Sequence, residues 1–496
     1  MKRLDQLTFT RFAMVLLVLF YHGTGEFYTA AINFFPFSAL LRSAPTAVAY
    51  LYVLSGFVMS LVYYRPGEKF DIAGYWRARF VRIYPLYIIS FLLVCIYYYD
   101  SLFRIKPQKI IANLFVVQAW FPQYSQSFNY AAWSMTVEFF FYAIFPFLIL
   151  WIARQSTRKL IWASLALWAV SQALHYTLWI GYFPDHKDFI VYFPVFHLNS
   201  FVLGVVGGIW YLREGRSQII SPASVLSVLF GSFFLVALYT IVSTGIYPAL
   251  PHDLQPISGL LAPIMVLFVV ALAMDDSRLS TFLRRPALVN LGETSYAIYI
   301  LHVPVYWLYE RALEHYKVAD AERVFDITFL PGMILLGLAA HFYVDVPLRR
   351  RLKNFLQTIS IRVFLLDLAI ITFTVFMIFQ LRFTNGREYS SYREMERLMF
   401  WVAFFVRPAL SLFFGATRLD VMMKPGVQWA LPVVISSIIS TGIIAGSVYL
   451  GYASGWFENF PRSIFVLDLF VIVALSLLVR LAYRTWALRK RISSPA

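Results

Sequence analysis

Long apolar runs separated by short arginine clusters dominate this sequence, and they restrict the possible folds more than any other feature in it. A segment crossing hydrocarbon finds no water for its backbone N–H and C=O groups, so it must bond them internally, as a helix or a closed barrel. Runs of about 15–24 residues without strict alternation suit helices. Composition agrees, because 60% of the residues are hydrophobic and 14% are charged, against about 25% charged in soluble domains. The sequence therefore predicts an all-α polytopic membrane protein. The aromatic content of 19% fits rings gathered at membrane interfaces and packed between helices. A single cysteine, Cys95, leaves no internal disulfide and no Cys-rich metal site.

The net charge of +16 sits in short clusters between apolar runs, so positive-inside topology accounts for it better than a nucleic-acid-binding face. The chain threads consistently from a cytoplasmic start at Lys2 and Arg3. About ten spans are expected, at about 8–22, 45–63, 83–98, 136–153, 160–180, 191–212, 223–243, 257–274, 294–310 and 326–344. Each inner loop is then arginine-rich, including the one carrying Arg65, Lys69, Arg77, Arg79 and Arg82. Ile110–Trp120 is apolar but too short to cross, which reads as a re-entrant or interfacial piece. No small-residue cleavage site follows the first run, so it reads as an uncleaved span.

About four more runs follow beyond Lys353, at about 363–381, 399–414, 428–451 and 463–483. They end in Arg484, Arg489, Lys490 and Arg491, so the C-terminus is also expected inside. The boundary is placed between residues 357 and 358. Phe364-Leu365-Leu366-Asp367-Leu368 is echoed by Phe465-Val466-Leu467-Asp468-Leu469, an echo of the kind that apolar helices produce by composition.

Four constellations can carry chemistry at membrane depth, where an ionisable group is costly and is by default a functional candidate. Arg11 and His22 bracket the first run. Eleven helical residues put both on one face, about 16 Å apart, roughly half the hydrocarbon thickness. The alternative is an inner anchor and an interfacial histidine. Arg79 and Arg82, three apart, share a helix face and suit a phosphate, or else anchor the chain to the inner interface. Trp133-Ser134-Met135-Thr136-Val137-Glu138 opens the fourth span, where Ser134 is placed to cap the helix. Glu138 is placed to meet His22 and fix its tautomer, as a general base requires. The alternative is a capping carboxylate at the helix N-terminus. His302, two residues before Pro304 and near Tyr296, reads first as packing or as part of a kink. Nucleotide-binding glycine loops and His-Glu-x-x-His are missing, so the sequence supports neither nucleotide hydrolysis nor zinc proteolysis, and it predicts no metal.

Taken in order, these features resemble the acyltransferase-3 family of membrane O-acyltransferases, which acetylate bacterial surface glycans. The resemblance rests on Leu4-Asp5-Gln6-Leu7, the Arg11 to His22 spacing, Tyr52-Val53-Leu54-Ser55-Gly56-Phe57 and Arg79-Phe80-Val81-Arg82-Ile83-Tyr84-Pro85. Further on it rests on Trp133-Ser134 with Glu138, Phe141-Tyr142, Phe145-Pro146, Leu291-Gly292 with Ser295-Tyr296, His302 to Pro304, and Val346-Pro347-Leu348-Arg349-Arg350. It implies a ten-helix bundle in the bacterial inner membrane, with both termini cytoplasmic. That bundle takes an acyl group from cytoplasmic acyl-CoA, usually acetyl-CoA, to a hydroxyl of a glycan or lipid-linked glycan. His22, Glu138 and Arg11 are then the expected catalytic residues, and Arg79 and Arg82 the expected binders of CoA phosphates. Trp133, Ser134, Tyr296 and His302 are expected in substrate or structural roles. The last four runs resemble the membrane portion of nucleotide-sugar dehydratases of polysaccharide clusters, through Leu366-Asp367-Leu368, Leu381-Arg382-Phe383, Pro461-Arg462-Ser463, Asp468 and Arg480. Their dinucleotide domain is missing here, so this part is expected to dock other polysaccharide-assembly enzymes or a lipid-linked glycan. The competing class is a transporter or flippase for lipid-linked oligosaccharide, which would also use intramembrane Arg, His and Glu. No convincing inverted repeat supports it.

Overall fold

The computed structural model describes residues 4–23, 44–99, 105–182, 185–217, 221–241, 259–382, 392–457 and 460–492. Lys2, Arg3, Phe383 and the outer ends of the seventh and eighth runs lie outside the described residues. The chain forms two compact units, residues 1–351 and 352–496. Among the described residues it is helical, with one isolated antiparallel bridge, Ile359 to Arg418, in the second unit.

The first unit contains α1 (Gln6–His22), α2 (Ala44–Tyr63), α3 (Ile72–Tyr97), α4 (Pro107–Leu114), α5 (Trp133–Ile152), α6 (Thr157–Tyr182), α7 (Lys187–Tyr192) and α8 (Leu198–Arg213). It continues with α9 (Pro222–Ile241), α10 (Ala262–Met274), α11 (Arg278–Leu283), α12 (Pro286–His315), α13 (Ala321–Ala339) and a π segment (Ala340–Asp345), and α14 (Val346–Thr358) spans the boundary at residue 351. The second unit holds α15 (Ile361–Arg382), α16 (Arg393–Phe413), α17 (Leu419–Met422), α18 (Leu431–Ala453) and α19 (Ser463–Ile492). Nine helical segments among the described residues are long and apolar enough to cross a membrane, and α1 and α10 are shorter apolar helices. Large apolar side chains such as Val170 and Ile180 of α6 point outward, which suits hydrocarbon and not water. The chain is an all-α polytopic membrane protein.

Lipid tails are as apolar as leucine, so helices in a bilayer associate through close packing and polar ties rather than through the hydrophobic effect. The α2–α8 contact is built that way. A Cβ added to Gly204 would collide with the Val53 carbonyl, and one added to Gly56 would collide with the Phe201 carbonyl. The α1–α12 contact repeats the device, with Gly292 lying against the backbone of Thr8. Gln6 ties the start of α1 in place, donating to the Leu272 carbonyl at 3.2 Å and accepting from Arg284 Nε at 3.1 Å.

Two local readings need correction. First, α3 begins at Ile72, where the Asp71 carboxylate accepts from the Gly74 N–H at 2.9 Å and caps the helix. The helix therefore starts well before the span expected from about residue 83, and Arg77 lies on it together with Arg79 and Arg82, whose spacing already suits a shared helix face. Second, Ser134 does not cap α5. A short turn, Tyr130–Ala132, precedes that helix, and the Asn129 side chain caps the turn by accepting from the Ala131 N–H at 3.1 Å. In α12, which continues through Pro304 as one helix, the expected gap in the hydrogen-bond ladder is filled from outside the helix. The Ile300 carbonyl, deprived of its usual i+4 donor by the proline, accepts instead from Ser90 Oγ at 2.9 Å and Asn129 Nδ2 at 2.8 Å. The Ile110–Trp120 stretch is a short helix, α4, followed by a 3₁₀ turn at Gln118–Trp120.

Candidate active site

Five helices of the first unit surround a cavity of about 220 Å³. Each contributes a stripe at helical spacing. From α1 come Arg11 and Val15; from α2, Tyr52, Ser55, Met59 and Tyr63; from α3, Arg79, Arg82 and Ile83. The α5 stripe is Ser134, Met135, Glu138 and Tyr142, and α12 adds Ser295, Tyr296 and Tyr299. Offsets of three, four and seven residues turn one face of a helix toward a single point, so α2 presents this row although most of its sequence is apolar.

Three guanidinium groups and one carboxylate line the cavity, which gives it a net positive charge. Arg79 is held firmly. Its Nη2 donates to the Tyr63 hydroxyl at 2.9 Å, its Nη1 lies 3.7 Å from Met59 Sδ, and its guanidinium faces the rings of Tyr63 and Tyr142 at 5.3 and 5.6 Å. Arg82 is exposed at the cavity. Arg11 lies within electrostatic reach of Arg82, Tyr142, Glu138 and Tyr50. Two buried polar atoms at this cavity, the Tyr52 hydroxyl and Arg79 Nε, have no hydrogen-bond partner among the described residues. A low-dielectric cavity with excess positive charge and unmet donors suits an anionic, oxygen-rich ligand.

The expected meeting of His22 with Glu138 is not what the structure shows. Tyr142, one helical turn further along α5, donates its hydroxyl to Glu138. The carboxylate is thereby satisfied on its own helix. His22 instead faces His302 of α12, with Nδ1 3.0 Å from Nε2. The close α1–α12 packing at Gly292 accounts for this, since it aligns the two helices. His302 is buried, and its Nδ1 lies 2.6 Å from the Tyr299 carbonyl, so it is a bonded partner as well as a packing residue. Ser134 Oγ lies 2.8 Å from the Tyr299 hydroxyl and donates to the Ala131 carbonyl at 2.9 Å. Tyr296 lines the cavity and donates to the Ile83 carbonyl at 2.6 Å. Trp133 is away from the cavity, packed between Tyr192 and His197. The sequence reading missed Tyr63 and Tyr142 as partners of Arg79 and Glu138. The signal available was their i+4 spacing from Met59 and Glu138.

Fold and cavity together define a polytopic membrane protein with an internal, positively charged site opening among α1, α2, α3, α5 and α12. Residues 4–346 match the acyltransferase domain family, and the chain belongs to it. It is 28% identical over 282 residues to the acyltransferase MdmB of Streptomyces mycarofaciens, a match covering 52% of this chain and 67% of that one. It is 24% identical over 328 residues to the O-acetyltransferase OatA of Staphylococcus aureus, covering 60% of this chain. The alignment takes in 52% of OatA, so the chain spans about half the length of that relative. No solved structure matches it.

Proposed function

We propose that this protein is a membrane O-acyltransferase that moves an acyl group, acetyl in the simplest case, from acyl-CoA to a hydroxyl of a glycan or lipid-linked glycan. The observation that carries the reading is the cationic cavity of Arg11, Arg79 and Arg82. His22 is not among its lining residues and stands about three turns further along α1 from Arg11. The arginines meet the donor phosphates, and the pantetheine arm then runs along α1 from Arg11 toward His22. As general base, His22 removes the proton of the acceptor hydroxyl while that oxygen attacks the thioester carbonyl. The C–S bond then breaks, and the departing thiolate takes up the proton from the imidazolium. As nucleophile, His22 carries the acyl group between the two substrates. Glu138, bonded by Tyr142 and within electrostatic reach of Arg11, offsets the charge of the guanidinium rather than orienting the imidazole. Family membership favours group transfer over the flippase reading.

The expected setting is a bacterial inner membrane, with the donor arriving from the cytoplasm and the acceptor at the outer face. The second unit is proposed to dock glycan-assembly enzymes or the lipid-linked acceptor. The test compares surface glycans, by mass spectrometry, from cells carrying the wild-type chain, the His22→Ala variant or no chain. Acylation should depend on the wild-type chain and vanish with His22→Ala while the protein still inserts. Near-normal acylation by the variant would overturn the reading.

A further inference from the structure

His22 and His302 stand 280 positions apart in the sequence, yet their rings lie within 6° of parallel with Nδ1 of the first 3.0 Å from Nε2 of the second. Nearly parallel planes at that separation let an N–H of one ring meet the in-plane lone pair of the other. The remaining nitrogen of His302, Nδ1, lies 2.6 Å from the Tyr299 carbonyl oxygen. A carbonyl oxygen has no proton to give. Neutral His302 must therefore carry its proton on Nδ1, which leaves the lone pair on Nε2. The shared bond then requires His22 to be protonated on Nδ1, and its Nε2 is bare.

We propose that His302 is a positioning residue that fixes the tautomer of His22, so that Nε2 is the basic or nucleophilic nitrogen in acyl transfer. The proposal rests on the acyl-transfer reading above. The logic parallels that of a histidine oriented by a carboxylate in hydrolases, with one physical difference. A neutral imidazole at membrane depth avoids the cost of placing a charged carboxylate there. It still accepts from Nδ1–H after Nε2 takes a proton, so the orientation survives each stage of the reaction. The relay is anchored at its far end, because the Tyr299 hydroxyl lies 2.8 Å from Ser134 Oγ and donates to the Ala131 carbonyl at 3.1 Å. Tyr130 meets the His22 ring edge-on, with centroids 5.0 Å apart, and holds it from another side.

The test uses the full-length protein in lipid nanodiscs. Solid-state ¹⁵N spectra of histidine-labelled protein, with the His22 signals assigned by their loss in His22→Gln, report the tautomer without any need for activity. The wild type should show His22 as the Nδ1–H form, and a wild-type Nε2–H form would overturn the proposal. Turnover of acetyl-CoA with glycan extract as acceptor gives the second readout. His302→Leu should lower kcat about 100-fold with an unchanged KM for acetyl-CoA. His302→Gln, whose side-chain oxygen still accepts from Nδ1–H, should recover most of the loss. Undiminished kcat in His302→Leu, with His22→Ala inactive, sinks the positioning role alone. Full activity in His22→Ala sinks the acyl-transfer reading and this proposal together.

Discussion

Arg79 donates to the hydroxyl of Tyr63 at 2.9 Å and also sits over that ring, so one tyrosine holds the guanidinium by a hydrogen bond and by its π face. Arg82, one turn further along α3, faces the same cavity exposed. If both meet donor phosphates, their contributions differ in kind. Arg79 is pre-organised by Tyr63, whereas Arg82 acts as an exposed charge. Arg82→Ala should weaken CoA binding about tenfold, or about 1.4 kcal/mol, and the remaining affinity should fall with added salt. Arg79→Ala should cost more, because the lost guanidinium is the one that Tyr63 holds in place. Tyr63→Phe should fall between wild type and Arg79→Ala. Titration of CoA into the purified protein measures all three, and unchanged affinity in both arginine variants would move the phosphates elsewhere.

Gly292 lets α12 lie against the backbone of Thr8 on α1, and a Cβ there meets carbonyl atoms that cannot rotate away. Gly292→Ala should destabilise the first unit by about 1–3 kcal/mol, as overpacking does. It should also reduce activity, because α1 carries Arg11 and His22 while α12 carries Tyr299 and His302. Gly231 of α9 is the control, since a Cβ added there meets nothing within 4 Å. Gly231→Ala should be neutral or slightly stabilising. Thermal denaturation followed by size-exclusion chromatography distinguishes the two, and equal behaviour would show that the α1–α12 contact has room to spare.

In the second unit, Arg480 grips Asp367 with Nη1 to Oδ1 at 2.8 Å and Nη2 to Oδ2 at 2.7 Å, all buried. A second buried pair joins Arg407 to Asp468. Removing one member of a buried pair strands its partner's charge, at a cost of about 3–5 kcal/mol. Asp367→Leu should therefore be strongly destabilising. The double variant Asp367→Leu/Arg480→Met should recover part of the loss, because no lone charge remains. A double variant less stable than either single one would mean that the pair contributes net attraction beyond its desolvation cost.

The helices were legible because each apolar run must be helical in hydrocarbon, and arginine clusters mark where runs end. The start of α3 was not, since the Asp71 cap lies outside the apolar pattern and Arg77 looks like a loop charge until that cap is seen. Arg11, Arg79, Arg82, Glu138, Ser134 and Tyr296 could be named from sequence, and the structure brings them to one cavity. Pairing was the part that sequence could not supply. Depth along the membrane suggested Glu138 for His22, but Glu138 has a nearer partner one turn away on α5, and His22 finds one on α12. Local spacing predicts the first of these contacts, whereas the second depends on how Gly292 seats two helices. The Asp367 and Asp468 echo looked compositional, yet both aspartates lie in buried ion pairs.

Pro304 offers a test of how the α12 backbone is satisfied. Its missing N–H leaves the Ile300 carbonyl to Ser90 and Asn129, neither of which belongs to that helix. A buried carbonyl without a donor costs about 1–3 kcal/mol, so the variant Ser90→Ala/Asn129→Ala should lose at least that much stability. Asn129→Ala alone should cost more than Ser90→Ala alone, since Asn129 also accepts from the Ala131 N–H ahead of α5. Pro304→Ala in the double-variant background restores an i→i−4 donor to the same carbonyl and should win back about 1 kcal/mol. In the wild-type background the carbonyl already accepts two bonds, so Pro304→Ala should change stability little. The four denaturation midpoints form a cycle whose coupling should be favourable. Additive effects would mean that Ser90 and Asn129 matter for packing and not for the bond freed by proline.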